Sequence, residues 1–128
     1  MKRRGTGVIA LAGVLTALVL GAPAQAKEGD ILVRGTCTGA STAKLKLSEE
    51  NGRIEVEFEV DQNRNGVRWN VVIERNGSRA ASLTRTTRAP SGSFEARRVV
   101  ANGVGADRIR ARATRAGESC RALATFPA

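Results

Sequence analysis

The sequence predicts an all-β domain, folded either as a sandwich of antiparallel strands or as a small up-and-down β-barrel. Apolar and polar residues alternate with a period of two through most of the chain after residue 27, which is the pattern of half-buried strands. Asn-Gly pairs at 51–52, 76–77 and 102–103 interrupt the alternation, and both residues of such a pair tolerate the positive φ of a tight hairpin turn. The same stretch shows no helical period.

The alternation divides into eight short runs, which predict seven or eight strands. Their apolar positions are, in chain order, Ile31, Val33 and Cys37; Ala43, Leu45 and Leu47; Ile54, Val56, Phe58 and Val60; Val67, Trp69, Val71 and Ile73; Ala81 and Leu83; Phe94 and Ala96; Ile109, Ala111 and Ala113; and Cys120, Ala122, Ala124 and Phe126. Trp69 shares a face with the aliphatic residues of its strand, so we expect it in the core.

Residues 1–26 have the form of a secretory signal peptide. Basic residues at 2–4 precede an apolar segment of 13 residues, and residues 24–26 (Ala-Gln-Ala) supply a small-x-small cleavage site. The apolar segment is shorter than the run of about 20 residues that a membrane-spanning helix needs. We therefore expect cleavage near Ala26, a secreted extracellular protein without a stable membrane anchor, and one sandwich domain over residues 27–128.

Charge and composition limit the classes of function that we expect for this protein. Without residues 1–26 the 21 basic residues fall by three to 18, against 12 acidic residues, which leaves a net charge of +6 that attracts anionic surfaces. The chain lacks His, the most frequent general base and a common metal ligand, so we expect no enzyme and no cofactor. It also lacks Tyr and has only four aromatic residues, which argues against stacking platforms for nucleic acid.

Cys37 and Cys120 are the only cysteines. Because an exported protein reaches an oxidising compartment, we expect a disulfide between them. The bond would tie the first predicted strand to the last, and it would close a loop of about 80 residues, which the chain-entropy model associates with about 4.5 kcal/mol of stabilisation.

The segment from Asp107 to Phe126 resembles the final hairpin of immunoglobulin-like and fibronectin-type-III-like sandwiches. It has an alternating strand, a tight turn at Ala116-Gly117-Glu118 and a second strand of small residues. With Trp69 on a central strand, the chain after residue 26 resembles small secreted immunoglobulin-like domains of high-GC bacteria. The resemblance implies an immunoglobulin-like sandwich, although the cysteines here lie in the first and last strands, not in the second and sixth.

Two stripes of opposite charge are the first candidate interaction face. They consist of Glu55, Glu57 and Glu59 on one strand and Arg108, Arg110 and Arg112 on another. An immunoglobulin-like order would make these strands adjacent, which predicts the cross-strand pairs Glu55–Arg112, Glu57–Arg110 and Glu59–Arg108. Such a ladder either sets the register of the sheet or forms a flat ionic docking face.

A basic, hydroxyl-rich stretch at 84–93 is the second candidate. Arg85 and Arg88 could present their guanidinium groups to phosphate or carboxylate groups from a loop. The alternative is a solvated connection between strands.

The loop after the glutamate stripe is a weak candidate for calcium. Asp61, Asn63 and Asn65 match the first half of an EF-hand loop, but Val72 stands where that motif has its bidentate Glu. Asp and Asn are also common in hairpin loops, where their side chains bond to local backbone. We therefore interpret the segment as a hairpin loop and predict no metal site.

These features predict a secreted, non-catalytic binding module for an unknown extracellular partner. The partner would be an anionic cell-envelope polymer or a protein, bound through the charged sheet face and the basic loop. A secreted inhibitor of an extracellular enzyme and a small-molecule carrier are the alternatives, and the scarcity of aromatic residues counts against a large apolar pocket.

Overall fold

A computed structural model describes residues 26–128 as two antiparallel β-sheets that share one core, with no helix among these residues. It confirms the predicted all-β sandwich with one disulfide. The barrel alternative is wrong because the strands divide between two separate sheets. Apart from Ala26, the predicted signal peptide lies outside the described residues. Within residues 26–128 no helix is long and apolar enough to cross a membrane.

Nine strands make up the sandwich. In chain order they are β1 (Ile31–Arg34), β2 (Thr36–Cys37), β3 (Thr42–Glu50), β4 (Arg53–Asp61), β5 (Arg68–Arg75), β6 (Ser78–Thr86), β7 (Ser93–Val100), β8 (Asp107–Arg115) and β9 (Glu118–Phe126). One sheet has the order β1-β3-β4-β7, and the other has the order β2-β9-β8-β5-β6. All neighbouring strands in both sheets run antiparallel.

The count of nine differs from the predicted seven or eight because the first predicted strand is divided at Gly35. β1 pairs with β3 in one sheet, whereas β2 pairs with β9 in the other. The Gly35 amide donates to the Ala43 carbonyl at 2.8 Å, and a Cβ at Gly35 would lie 2.6 Å from the Arg121 carbonyl oxygen. Glycine therefore lets the chain cross between the sheets while it stays in contact with both.

Asn-Gly turns close two of the hairpins, as the sequence predicts. Asn51 and Gly52 join β3 to β4 with φ values of 50° and 79°, and Asn76 and Gly77 join β5 to β6 with φ values of 51° and 86°. Positive φ at both central residues is the type I′ geometry that matches the twist of paired strands. These turns hold each pair of consecutive strands in one sheet.

Inward-facing residues from both sheets form the core. Its fully buried large side chains include Leu45, Leu47, Ile54, Val56, Phe58, Val60, Trp69, Val71, Ile73 and Ile109. The prediction that Trp69 lies in the core is confirmed. The Trp69 ring lies 6.0 Å from the Phe94 ring, and its Nε1 donates to the Gln62 side-chain oxygen at 3.1 Å, so its polar atom is satisfied.

The disulfide joins Cys37 and Cys120, as predicted. The two residues are direct cross-strand partners, so the bond fastens the two-residue edge strand β2 to β9. Their separation of 83 residues means that the bond encloses most of the sandwich.

Candidate functional site

The glutamate stripe lies on the outer face of the four-stranded sheet. Glu57 and Glu59 on β4 face Lys46 and Lys44 on β3, at 3.7 and 3.3 Å between the charged atoms. Glu55 forms an ion pair with Arg97 on β7. Each carboxylate of the stripe therefore has a basic partner within its own sheet, which leaves little net charge for a ligand to recognise.

The predicted ladder between the glutamate and arginine stripes is wrong. The expected pairs were Glu55–Arg112, Glu57–Arg110 and Glu59–Arg108, but β4 and β8 belong to different sheets. β4 forms a hairpin with β3 through the Asn-Gly turn at 51–52, and the strand that carries Trp69, β5, takes the place beside β8. The stripes therefore point away from each other, on opposite sides of the sandwich.

The arginine stripe lies on the outer face of the five-stranded sheet. We call the following residues the arginine face: Arg108, Arg110, Arg112 and Arg121 on this sheet, and Arg34 at the end of β1, the edge strand of the other sheet, which lines the same depression. The β8 members alternate with buried residues, so their side chains project outward, and Arg121 projects from β9 in the same way. Four members, Arg34, Arg110, Arg112 and Arg121, line one open depression of about 590 Å³ together with the Thr36 and Leu123 side chains.

This face carries almost no compensating negative charge. Glu74 on β5 is the one acidic residue that points outward from the five-stranded sheet in the described chain, and its carboxylate lies 4.0 Å from Arg110. Arg112 and Arg121 are direct cross-strand partners. Like charges at directly opposite positions of a sheet destabilise it, because their Cβ atoms lie only about 5 Å apart. The Arg112–Arg121 pair therefore disfavours folding, and it concentrates positive charge on this face.

The structure separates the two residues of the predicted basic loop from the arginine face. Arg85 lies in β6, not in a loop, and its guanidinium donates to the Glu95 carbonyl at 3.3 Å and to the Thr84 carbonyl at 2.9 Å. Because β6 and β7 belong to different sheets, the contact to Glu95 bridges the edge of the sandwich. Arg88 is exposed in the loop that follows.

The weak calcium candidate forms a compact turn. The Asp61 carboxylate accepts the Asn63 amide at 2.9 Å, and Asn63 has a φ of 58°. The Gln62 and Asn63 amides both donate to the Gly92 carbonyl, and Asn65 is exposed. These contacts dock the loop onto the segment before β7. The prediction of a hairpin loop is wrong, because β4 and β5 lie in different sheets and the loop connects one sheet to the other.

Asp107 is a buried carboxylate at the start of β8. It accepts the Gly103 amide at 2.9 Å and the Asn76 side-chain nitrogen at 3.0 Å, and it pairs with Arg75 at 2.8 Å. Burial by itself would raise the pKa of Asp107, but these donors and the Arg75 charge outweigh burial and hold the pKa below its usual value. The Asn76 side-chain oxygen accepts the Arg108 amide at 2.8 Å, so the same cluster positions the first arginine of the stripe.

Glu118 is a second buried carboxylate, at the start of β9. It accepts the Ser41 amide at 3.0 Å and the Ser41 hydroxyl at 2.9 Å, and it pairs with Arg115 at 3.1 Å. Burial favours a raised pKa at Glu118, yet these bonds lower it, which makes the carboxylate a weak base for activating Ser41. Glu118 also lies near the sulfurs of Cys37 and Cys120, which are joined to each other and so are not thiolate ligands.

Four residues that form the charged surface or the contacts beside it were not predicted from the sequence. They are Arg34, Arg121, Asp107 and Glu118. Arg121 stands between two buried residues of its strand, and this alternation was a signal that could have added it to the stripe. Arg34 reaches the depression only because the chain crosses between the sheets just after it, and the buried environment of the two carboxylates depends on tertiary packing.

No protein-family model, curated protein or solved structure matches this chain.

Proposed function

We propose that this protein is an exported, non-catalytic binding module that holds an anionic partner against the arginine face. The observation that carries the proposal is the cross-strand pair of Arg112 and Arg121, which has no acidic neighbour in its part of the sheet. Positive charges held close together on a rigid sheet attract polyanions and bind them through several contacts at once.

Export is supported by the sequence and by the disulfide. Residues 1–26 have the order of a signal peptide, and the bond between Cys37 and Cys120 is of a kind that persists in oxidising compartments. Outside the cell, the polyanions that meet such a face include anionic polymers of the cell envelope. We therefore propose an anionic wall polymer as the partner and an acidic protein surface as the second candidate.

The shape and lining of the depression favour a polyanion over an apolar small molecule. The depression is open, and four of its lining side chains are arginines. A carrier site for a small apolar ligand is a largely enclosed cavity with apolar walls. Asp107 and Glu118 are each held by an arginine and by hydrogen-bond donors of the chain, so neither carboxylate is free to act as a general base on a bound molecule.

Co-sedimentation with purified bacterial cell wall tests the proposal. The oxidised protein, purified from a secreting host, is mixed with wall material at low salt and at physiological salt. We expect it to pellet with the wall, and we expect the double variant Arg112→Gln/Arg121→Gln to bind about tenfold or more weakly, since two charged contacts are lost.

The matched control is Arg53→Gln/Arg64→Gln. Both residues are exposed and lie outside the arginine face, so this variant loses the same charge elsewhere on the surface. The control should bind like the parent protein. Equal losses in the two variants would show that net charge alone drives binding, and a parent protein that stays in the supernatant at both salt concentrations would contradict the wall-polymer proposal.

A further inference from the structure

We propose that the anionic partner is a phosphodiester polymer without bases, a polyol phosphate chain, and that it lies along β8 with successive phosphates on Arg108, Arg110 and Arg112. This inference rests on the proposed function and deepens it, since it names the chemical class of the polymer and its direction on the sheet.

The spacing of the arginines along β8 matches the repeat of a polyol phosphate chain. Arg108, Arg110 and Arg112 project from one face of a regular strand at intervals of two residues. A strand rises about 3.4 Å per residue, so neighbouring guanidinium groups start about 7 Å apart. In a glycerol phosphate chain, six bonds of about 1.5 Å in a staggered, extended path separate successive phosphorus atoms, which spans about 7 Å as well. Strand and polymer therefore stay in register over three phosphates.

The basic side chains on β8 and β9 are also of the type that matches phosphate. Every basic residue of β8 and β9 is an Arg, and neither strand contains a Lys. The guanidinium group presents parallel N–H donors that match two oxygens of one phosphate, whereas an ammonium group acts as a point charge. A phosphodiester offers two equivalent unesterified oxygens at every repeat. Arg112 and Arg121, directly opposite each other, can approach one phosphate from its two sides and so turn their mutual repulsion into a shared contact.

The side chains on the two neighbours of β8, β9 and β5, favour a polyol phosphate chain on the β9 side. On the β9 side, Arg110 faces Leu123, which is 45% exposed, and Arg108 faces Thr125, so carbon and hydroxyl groups of a polyol would meet apolar and hydroxyl side chains there. On the β5 side, the Glu74 carboxylate lies 4.0 Å from Arg110 and repels a phosphate there, which directs the polymer toward β9. One polymer chain therefore fits along β8 and β9.

Residues 26–128 expose no aromatic side chain on which a base could stack. Phe58, Phe94, Phe126 and Trp69 are all buried, and these four are the aromatic residues of the described chain. Proteins that bind single-stranded nucleic acid rely on exposed aromatic platforms. This composition favours a base-free phosphodiester over RNA or single-stranded DNA.

The test measures affinity by titration calorimetry against synthetic glycerol phosphate oligomers of two, four, six and eight repeats. The comparison ligands are oligoglutamates and oligodeoxythymidylates with the same numbers of charges. We expect affinity to rise steeply up to about four repeats and then to level off, since Arg108, Arg110 and Arg112 contact three successive phosphates. At equal charge, we expect oligoglutamate to bind about tenfold more weakly.

Two variants locate the contact. Arg110→Lys keeps the positive charge but removes the paired N–H donors of the guanidinium group. It should therefore weaken the binding of glycerol phosphate oligomers several-fold more than the binding of oligoglutamates. Arg53→Gln, outside the face, should leave all three ligand series unchanged. A thermal melt of each variant, compared with that of the parent protein, separates a lost contact from a lost fold.

The possible outcomes distinguish this inference from the proposed function. If oligoglutamate binds as tightly as glycerol phosphate of equal charge, or if affinity does not depend on repeat length, the phosphodiester inference is overturned while the anionic binding face stands. Tighter binding of the oligodeoxythymidylates would overturn it in favour of nucleic acid. If none of the three polymers binds, both the inference and the proposed function fail.

Discussion

Arg112 on β8 and Arg121 on β9 are direct partners across two neighbouring strands, and both side chains point outward from the sheet. On the four-stranded sheet, by contrast, Lys44 forms an ion pair with Glu59 and Lys46 forms one with Glu57. The two faces therefore differ in net charge: basic partners neutralise the glutamate stripe on one face, whereas Glu74 beside Arg110 is the one outward acidic residue among the described residues on the other. This difference is the structural basis of the proposed function.

Replacement of Arg112 by Glu should have opposite effects on stability and on binding. The substitution turns a repulsive cross-strand pair into an attractive one, so we expect the free energy of unfolding to rise by about 0.5–1 kcal/mol. The same change should weaken binding to anionic wall polymer at least about tenfold, since it puts a negative charge in the contact. Urea unfolding and a binding isotherm measure the two effects.

The control for this prediction is Arg53→Glu, which makes the same change in net charge. Arg53 faces Glu50 across β3 and β4, so the substitution places two acidic residues opposite each other. It should therefore lower stability slightly and leave binding unchanged. The prediction is contradicted if Arg112→Glu destabilises the protein, or if the two variants lose binding equally.

Acid should weaken the fold through the two buried carboxylates. The native pKa values of Asp107 and Glu118 lie below their usual values of 3.8 and 4.5, so the unfolded chain binds more protons than the native protein in this range. Their stabilising contribution is complete above the usual values and is lost as the pH falls through the lowered native pKa values. Urea unfolding between pH 7 and pH 2 should show this loss.

A matched variant assigns part of that pH dependence to Asp107. We expect Asp107→Asn to lower the free energy of unfolding at pH 7 by about 2–3 kcal/mol, because the Arg75 charge loses its partner. The variant should also have a shallower loss of stability in acid than the parent protein. If the free energy of unfolding falls in acid as steeply in the variant as in the parent protein, Asp107 does not contribute to this pH dependence.

Reduction of the disulfide should destabilise the sandwich without changing its strand order. The bond closes a loop with a sequence separation of 83 residues. For such a loop the chain-entropy model gives about 4.5 kcal/mol, and measured effects of native disulfides are commonly about 2–4 kcal/mol. Urea unfolding of the parent protein and of Cys37→Ser/Cys120→Ser measures the difference, and a difference below about 1 kcal/mol would contradict this role.

Arg85 and Arg88 should not contribute to polymer binding. Because the Arg85 guanidinium bridges the two sheets, Arg85→Ala should lower the free energy of unfolding by about 1 kcal/mol. Arg88→Ala should leave stability nearly unchanged, since its side chain is exposed. Both variants should bind wall polymer like the parent protein. A loss comparable to that of Arg112→Gln/Arg121→Gln would place the basic loop in the contact.

The alternation of residues predicted which face each side chain occupies, but it did not predict which strands are neighbours. Arg108, Arg110 and Arg112 point outward as a stripe, as expected, because a period of two fixes the side of the sheet. Strand order depends on packing between distant segments. The turn at 51–52 indicated that β3 and β4 form a hairpin, with Lys44 and Lys46 facing the glutamate stripe, and it was a better guide than the immunoglobulin-like order.

The sequence also did not predict that the first strand is divided at Gly35, or that two carboxylates are buried. A glycine between two apolar alternations does not reveal that the chain changes sheets there, because the close contacts come from Ala43 and Arg121 in other strands. Asp107 and Glu118 look like ordinary polar residues at strand starts. Their burial follows from the loops that fold over them.

The salt dependence of binding tests the central claim most directly. Binding of the parent protein to solubilised anionic wall polymer is measured at increasing salt, and log K is plotted against log salt concentration. Contacts to three phosphates predict a slope of about −2 for the parent protein, and loss of the phosphate that Arg112 and Arg121 share predicts a slope shallower by about 0.7 in Arg112→Gln/Arg121→Gln. A slope near zero, or the same slope in both proteins, would contradict the assignment of the arginine face as the binding surface.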